Sequence, residues 1–140
     1  MTDARLADLD DEFSFLDDWE ERYRHVIDLG RALPVLPEGE RVDAAKVRGC
    51  ASQVWLISET SNDLIHFRGQ SDAAIVQGLL AILLRLYSGR PATEILELDA
   101  ATAFASLGLG ETLSPQRSNG LKAMALRIRE VAMDAVAGTT

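Results

Sequence analysis

The run from Ala73 to Tyr87 is apolar on almost every side of a helix: Ile75, Leu79, Ile82, Leu83 and Leu86 form one stripe, and Val76, Leu80 and Leu84 widen it. A helix of that composition has to be covered nearly all round, so the remainder of the chain must wrap about it. Gln77 and Arg85 interrupt the run, and it falls short of the ~20 residues a membrane span needs. It therefore reads as a core helix, with no membrane as partner. Ser71 reads as its N-cap, Asp72 as a charge favourably set against its dipole, and Gly89 as its stop.

The covering elements follow from local patterning. Leu6 to Leu16 and Asp18 to Leu33 read as helices, with Asp17 and Glu20 spaced as a capping box and Pro34 and Pro37 ending the second. Three antiparallel strands are expected next: a short one over Arg41 to Val47, the strongest over Gln53 to Thr60, and a third over Leu64 to Arg68, where Ile65 and Phe67 share one face. Ser61-Asn62-Asp63 is the turn between the last two. Beyond the core helix, Pro91 and Asp99 open two short helices, and Ser114-Pro115 starts a last one whose apolar seam is Leu121, Met124, Ala125, Ile128, Ala132 and Ala135. Met124 and Met133 read as core filler. The expected class is α+β, a short three-stranded antiparallel sheet packed against several helices, with residues 1–140 as a single domain.

At 140 residues the chain can bury one core, and its formal net charge of −8 with no dense Lys/Arg run argues against nucleic acid. Its single cysteine excludes an internal disulfide, and Met1 to Asp10 contains no uninterrupted apolar segment, so a cytoplasmic protein is expected.

That cysteine, Cys50, lies in Val47-Arg48-Gly49-Cys50-Ala51-Ser52-Gln53-Val54-Trp55. Gly49 permits a sharp turn that displays the next side chain, and the β-rich residues from Val54 to Ile57 anchor the turn. A solitary cysteine is more often a small buried hydrophobe than a nucleophile. Here the neighbours favour reactivity: Arg48 can stabilise a thiolate, Gly49 and Ala51 leave it uncrowded, and Ser52 and Gln53 offer hydrogen bonds to a sulfur anion. Gly120, inside the last helix, marks a close approach, and the Cys50 loop or its strand is expected to pack there.

The segment Gly49-Cys50-Ala51-Ser52-Gln53-Val54-Trp55 resembles the signature of the SufE family of sulfur acceptors in iron–sulfur cluster assembly. Three further segments resemble that family in its order: Tyr23 to Gly30, Ser71 to Leu79, and Leu113 to Leu121. The resemblance implies the SufE/IscU-like two-layer architecture. It also implies that Cys50 takes sulfur from the persulfide of a SufS-like, pyridoxal-phosphate-dependent desulfurase, stimulates that enzyme, and passes the sulfur to a SufBCD-like scaffold. The pyridoxal phosphate belongs to the partner, and no cofactor is expected on this chain. Further implications are an apolar cavity for the idle cysteine loop, to which Val54, Leu56 and the long helix can contribute, and roles for Asp72 in loop control or docking and for Arg117 near the thiol. Arg48 stands where the family often has proline.

Two other classes fit a lone thiol: a one-cysteine peroxide reductase and a non-catalytic interaction module. The first needs a base beside the sulfur, which the contexts of His25 and His66 do not offer. Nor do these histidines form metal-ligand pairs with Cys50, so no metal site is expected.

Overall fold

A computed structural model describes residues 4–50, 52–109 and 114–138. Its order is α1 (Ala4–Ser14), α2 (Trp19–Arg31), β1 (Val54–Ser61), β2 (Leu64–Ser71), α3 (Ala74–Tyr87), α4 (Ala92–Glu97), α5 (Ala100–Ser106) and α6 (Pro115–Ala137), with short 3-10 turns at Glu38–Glu40 and Asp43–Ala45. The core helix is α3, and Leu80, Ile82, Leu83 and Leu86 have no exposed surface at all. Helix α2 lies against it where two glycines meet. A Cβ on Gly78 would fall on the Val26 carbonyl, so only glycine lets the two backbones come this close. The apolar faces of β1, β2 and α6 complete the cover, with Val54, Leu56, Ile65, Phe67, Met124 and Ile128 buried.

Among the described residues the sheet has two antiparallel strands, not three. Residues 41–47, expected as the first strand, carry Asp43-Ala44-Ala45, which have little β propensity and wind into a 3-10 turn. What survives of that strand is one bridge, Lys46 opposite Trp55, with the Val47 N–H donating to the Val54 carbonyl at 2.8 Å. Strand β2 runs three residues further than expected, to Ser71, which pairs with Val54.

Three finer expectations also shift. The N-cap of α2 is Asp18, not Asp17: the Asp18 carboxylate accepts from the Glu21 N–H at 2.8 Å, and Glu21 accepts from the Asp17 N–H at 3.0 Å. The box is displaced by one residue because acidic residues at 17, 18, 20 and 21 offer two registers. Ser71 does not cap α3; it ends β2 buried, and the helix begins after Ala73 with no side-chain cap. Met133 points outward at 54% exposure, whereas Met124 is fully buried as expected.

Candidate functional site

Residues 48–53 bridge the Lys46–Trp55 pair and the start of β1, so both ends of the Cys50 loop are anchored in buried structure: Val47 on one side, Val54 on the other. Gly49 has φ +90°, a conformation L side chains rarely adopt, and a Cβ there would sit 3.3 Å from the Ala123 side chain of α6. This turn lays the cysteine against α6. The Cys50 thiol donates to the Gly120 carbonyl at 3.7 Å, and a Cβ on Gly120 would meet the sulfur at 3.9 Å. The expected packing of the loop on Gly120 is what the structure shows.

The exit of the loop is fastened separately. The Gln53 N–H donates to the Asp72 carboxylate at 3.0 Å, and the Asp72 N–H donates to the Gln53 carbonyl at 3.2 Å. Asp72 is thus tied to the loop backbone just ahead of α3, in addition to standing near a helix start. Behind it, Gln77 accepts from the Ser71 N–H at 2.6 Å and donates to the Gly30 carbonyl at 3.3 Å, linking this corner to α2.

Beside the half-buried sulfur lies a pocket of about 170 Å³ lined by Ser52, Ala73, Ile75, Val76, Gln116, Arg117 and Gly120. Ile75 and Val76 supply the apolar wall, as expected of the long helix. Val54 and Leu56 instead face the core and do not line it. Arg117 is positioned by the first turn of α6, where the Ser114 hydroxyl accepts from its N–H at 3.3 Å, and its guanidinium lies 5.6 Å from the centre of the Tyr23 ring. The expected Arg117 neighbourhood of the thiol is therefore real, with Tyr23 as a support that spacing alone does not reveal. Ala51 and Leu113, both within the sequence segments that point to this site, lie outside the described residues.

The electrostatics differ from expectation. Burial pushes the Cys50 thiol above its ordinary pKa. Arg48 is exposed, and the Gln53 N–H donates to the Asp72 carboxylate. Ser52 stands in the pocket wall beside the sulfur. In this half-buried state burial favours the protonated thiol.

The histidines lie elsewhere. His25 meets the Glu12 carboxylate at 3.1 Å and the edge of Phe13, in a cluster where Glu12 also pairs with Arg85 and thereby joins α1, α2 and α3. The Arg85 hydrogen bond and the His25 contact hold the Glu12 carboxyl below its usual range. His66 is an exposed residue of β2. Among the described residues, no three His, Cys, Asp or Glu side chains gather as metal ligands.

An α+β body carrying one half-buried thiol on a loop between sheet and helix is the class this geometry defines. The profile of the SufE family, described as an Fe-S metabolism associated domain, matches residues 7–132, and the chain belongs to that family. An uncharacterised SufE-like protein of Rhizobium etli is 57% identical over 92% of this chain and 90% of its own length. Another from Rhizobium meliloti is 50% identical over 91% and 94%. The solution structure of a hypothetical protein from Thermus thermophilus shares the fold with a TM-score of 0.79, covering 98% of this chain and 99% of that one at 21% identity.

Proposed function

We propose that this chain is a cytoplasmic sulfur acceptor: Cys50 takes sulfane sulfur from the persulfide of a SufS-like cysteine desulfurase, stimulating that enzyme, and relays it to a SufBCD-like cluster scaffold. The observation that carries this reading is the mounting of the thiol. It is held by separable contacts to Gly120, Ala123 and Asp72, beside a pocket with room for more than the sulfur atom.

The chemistry needs little else. Once the loop leaves α6, the thiol loses its burial and ionises more readily. Its thiolate attacks the outer sulfur of the donor persulfide; the sulfur–sulfur bond of the donor breaks, and the donor cysteine leaves as a thiolate that takes up the proton. The product is a Cys50 persulfide and a restored donor thiol, with no net oxidation. A second protein thiol would attack that persulfide and release sulfide, and the chain has none. Return of the loop to α6 shelters the carried sulfur until the scaffold is met. Pyridoxal phosphate acts in the donor enzyme. The raised thiol pKa opposes a peroxide-reducing role, which depends on an ionised cysteine at neutral pH.

Mass spectrometry after incubation with desulfurase and cysteine tests the proposal. The expected result is a gain of sulfur masses confined to the peptide bearing Cys50 and absent from Cys50→Ser, whose folding is preserved. Sulfur carried equally by the serine variant would end this reading.

A further inference from the structure

Residues 44–58 and 114–129 contain Lys46, Arg48, Arg117, Lys122, Arg127 and Arg129 and not one carboxylate, whereas the other 8 cations share the chain with all 22 acidic residues. The fold brings these two stretches together. Gly49 abuts Ala123, the Cys50 sulfur meets the Gly120 carbonyl, and Arg127 donates to the Ala44 carbonyl at 3.2 Å. In a protein of net charge −8, the two stretches that carry the cysteine loop and most of α6 are thus cationic. Asp43, Glu59 and Glu130 border the two stretches in sequence, and Asp72, which packs against the first of them, is engaged by the Gln53 N–H.

Helix α6 stands as a ridge in this region. Gly120 and Arg127 lie on the flank that meets the cysteine loop; at 100° per residue, Lys122 and Arg129 fall on the opposite flank. There a second cleft, of about 370 Å³, opens between α6 and the α4–α5 pair. Tyr87, Ile95, Phe104 and Leu121 form its apolar wall, and Lys122 and Arg129 stand at its rim. Leu126, 55% exposed, also lines the cleft. Asp99 is also in the wall: its carboxylate accepts from the Thr102 hydroxyl at 2.6 Å and feels the charge of Arg129, which donates to the Leu96 carbonyl at 3.1 Å, so Lys122 is the cation with more charge to spare for a partner. An apolar cleft with cations at its edge fits an apolar side chain flanked by carboxylates.

We infer that α6 is a docking ridge for an acidic segment of the sulfur donor, which seats an apolar side chain in the cleft between α4, α5 and α6 while the donor reaches Cys50 across the helix. This rests on the sulfur-relay reading and adds the chemistry of the partner's surface. A helix is only ~10–12 Å across, so one partner spans both flanks. The charge pattern selects an acidic donor and speeds its encounter, while the cleft fixes its position.

The test is desulfurase turnover and Cys50 sulfur loading, measured with a SufS-like cysteine desulfurase of the same organism, as a function of this chain's concentration and of salt. The apparent KM for the chain is expected to rise about ten-fold between roughly 50 and 500 mM salt, as exposed charge pairs are screened. Lys122→Glu with Arg129→Glu is expected to raise KM by about ten-fold at low salt, with turnover recovering at saturating chain. Lys122→Arg with Arg129→Lys retains the wild-type KM, and Leu126→Asp raises it without changing the alkylation rate of Cys50 in the free chain. A KM indifferent to both salt and charge reversal overturns the inference while sulfur loading of the wild type upholds the relay. Self-association of the free chain that Leu126→Asp abolishes also overturns it, by assigning the cleft to a second copy. If the wild type takes up no sulfur at any concentration, the relay reading falls and this inference with it.

Discussion

Strand β1 is entered and left through two loops that keep their shape for different reasons. At its far end, Asn62 and Asp63 turn the chain into β2 with φ of 53° and 66°, both left-handed, and pairing continues right up to Ser61 opposite Leu64. The twist of such a turn matches the twist of the strands it joins, so the conformation is set within the hairpin. At the near end, the Cys50 loop owes its path to contacts with α6 and with the residues leading into α3. A turn of the first kind opens only when its hairpin opens. A loop of the second kind can be released one contact at a time, and a thiol that must meet a partner calls for that arrangement.

The comparison breaks most visibly at Gly49. A β-branched residue is closed to φ +90°, and its Cβ would press on Ala123, so Gly49→Val should free the loop from α6. Alkylation of Cys50 by iodoacetamide near neutral pH is expected to accelerate about ten-fold, at a stability loss of only about 1–2 kcal/mol. An unchanged alkylation rate in a folded variant would show that this turn does not hold the thiol down. Asn62→Val imposes a similar backbone conflict on the hairpin, and chemical denaturation should show a loss of about 1–2 kcal/mol. Here the alkylation rate stays at the wild-type value. If it rises with the loss of hairpin stability, the two loops are coupled and the contrast between them fails.

Asp72→Ala sharpens the contrast at the other anchor. The Gln53 N–H loses its carboxylate, but this corner is exposed and water can replace it, so the expected loss is about 1 kcal/mol or less. Alkylation of Cys50 should quicken by about two- to five-fold, since one of several restraints is gone. The pH profile reports the same release. Burial raises the folded pKa of Cys50, so alkylation of the wild type inflects above the ~8.5 of a free thiol, and in urea it returns toward that value. The linked contribution to stability is intact below the unfolded pKa and is lost as pH rises through the folded one, because the unfolded thiol ionises first. Gly49→Val should move the inflection down toward the free-thiol value.

The same contrast explains what could be read in the sequence. The hairpin turn and α3 are legible because their signals are local: Ser61-Asn62-Asp63 announces a turn, and the apolar run from Ala73 announces a covered helix. Gly49, Cys50 and Gly120 are legible as the parts of one contact, since a lone thiol after a glycine and a glycine within a helix each ask for a neighbour. The first strand is not, because β propensity over residues 41–47 is broken by Asp43-Ala44-Ala45 and only Lys46 and Val47 reach the sheet edge. The tie between Asp72 and the Gln53 backbone and the placing of Arg117 over Tyr23 depend on where separate elements come to rest. Gly78 carries no local mark either; the α2 backbone lying on it is what requires glycine there.

The smallest expected effect lies at Gly120, and it separates space from strain. A Cβ at this position reaches the Cys50 sulfur at 3.9 Å, an ordinary contact, and alanine is the better helix former by ~1 kcal/mol. Gly120→Ala should therefore leave the loop docked, raise stability by up to about 1 kcal/mol, and change Cys50 alkylation by less than about two-fold. Gly120→Leu fills the space the sulfur occupies, so the same helix position should then expel the loop and speed alkylation as Gly49→Val does. Equal alkylation rates in the alanine and leucine variants would mean that the thiol is not seated on Gly120, and the near-end loop would have to be held by Ala123 and Asp72 alone.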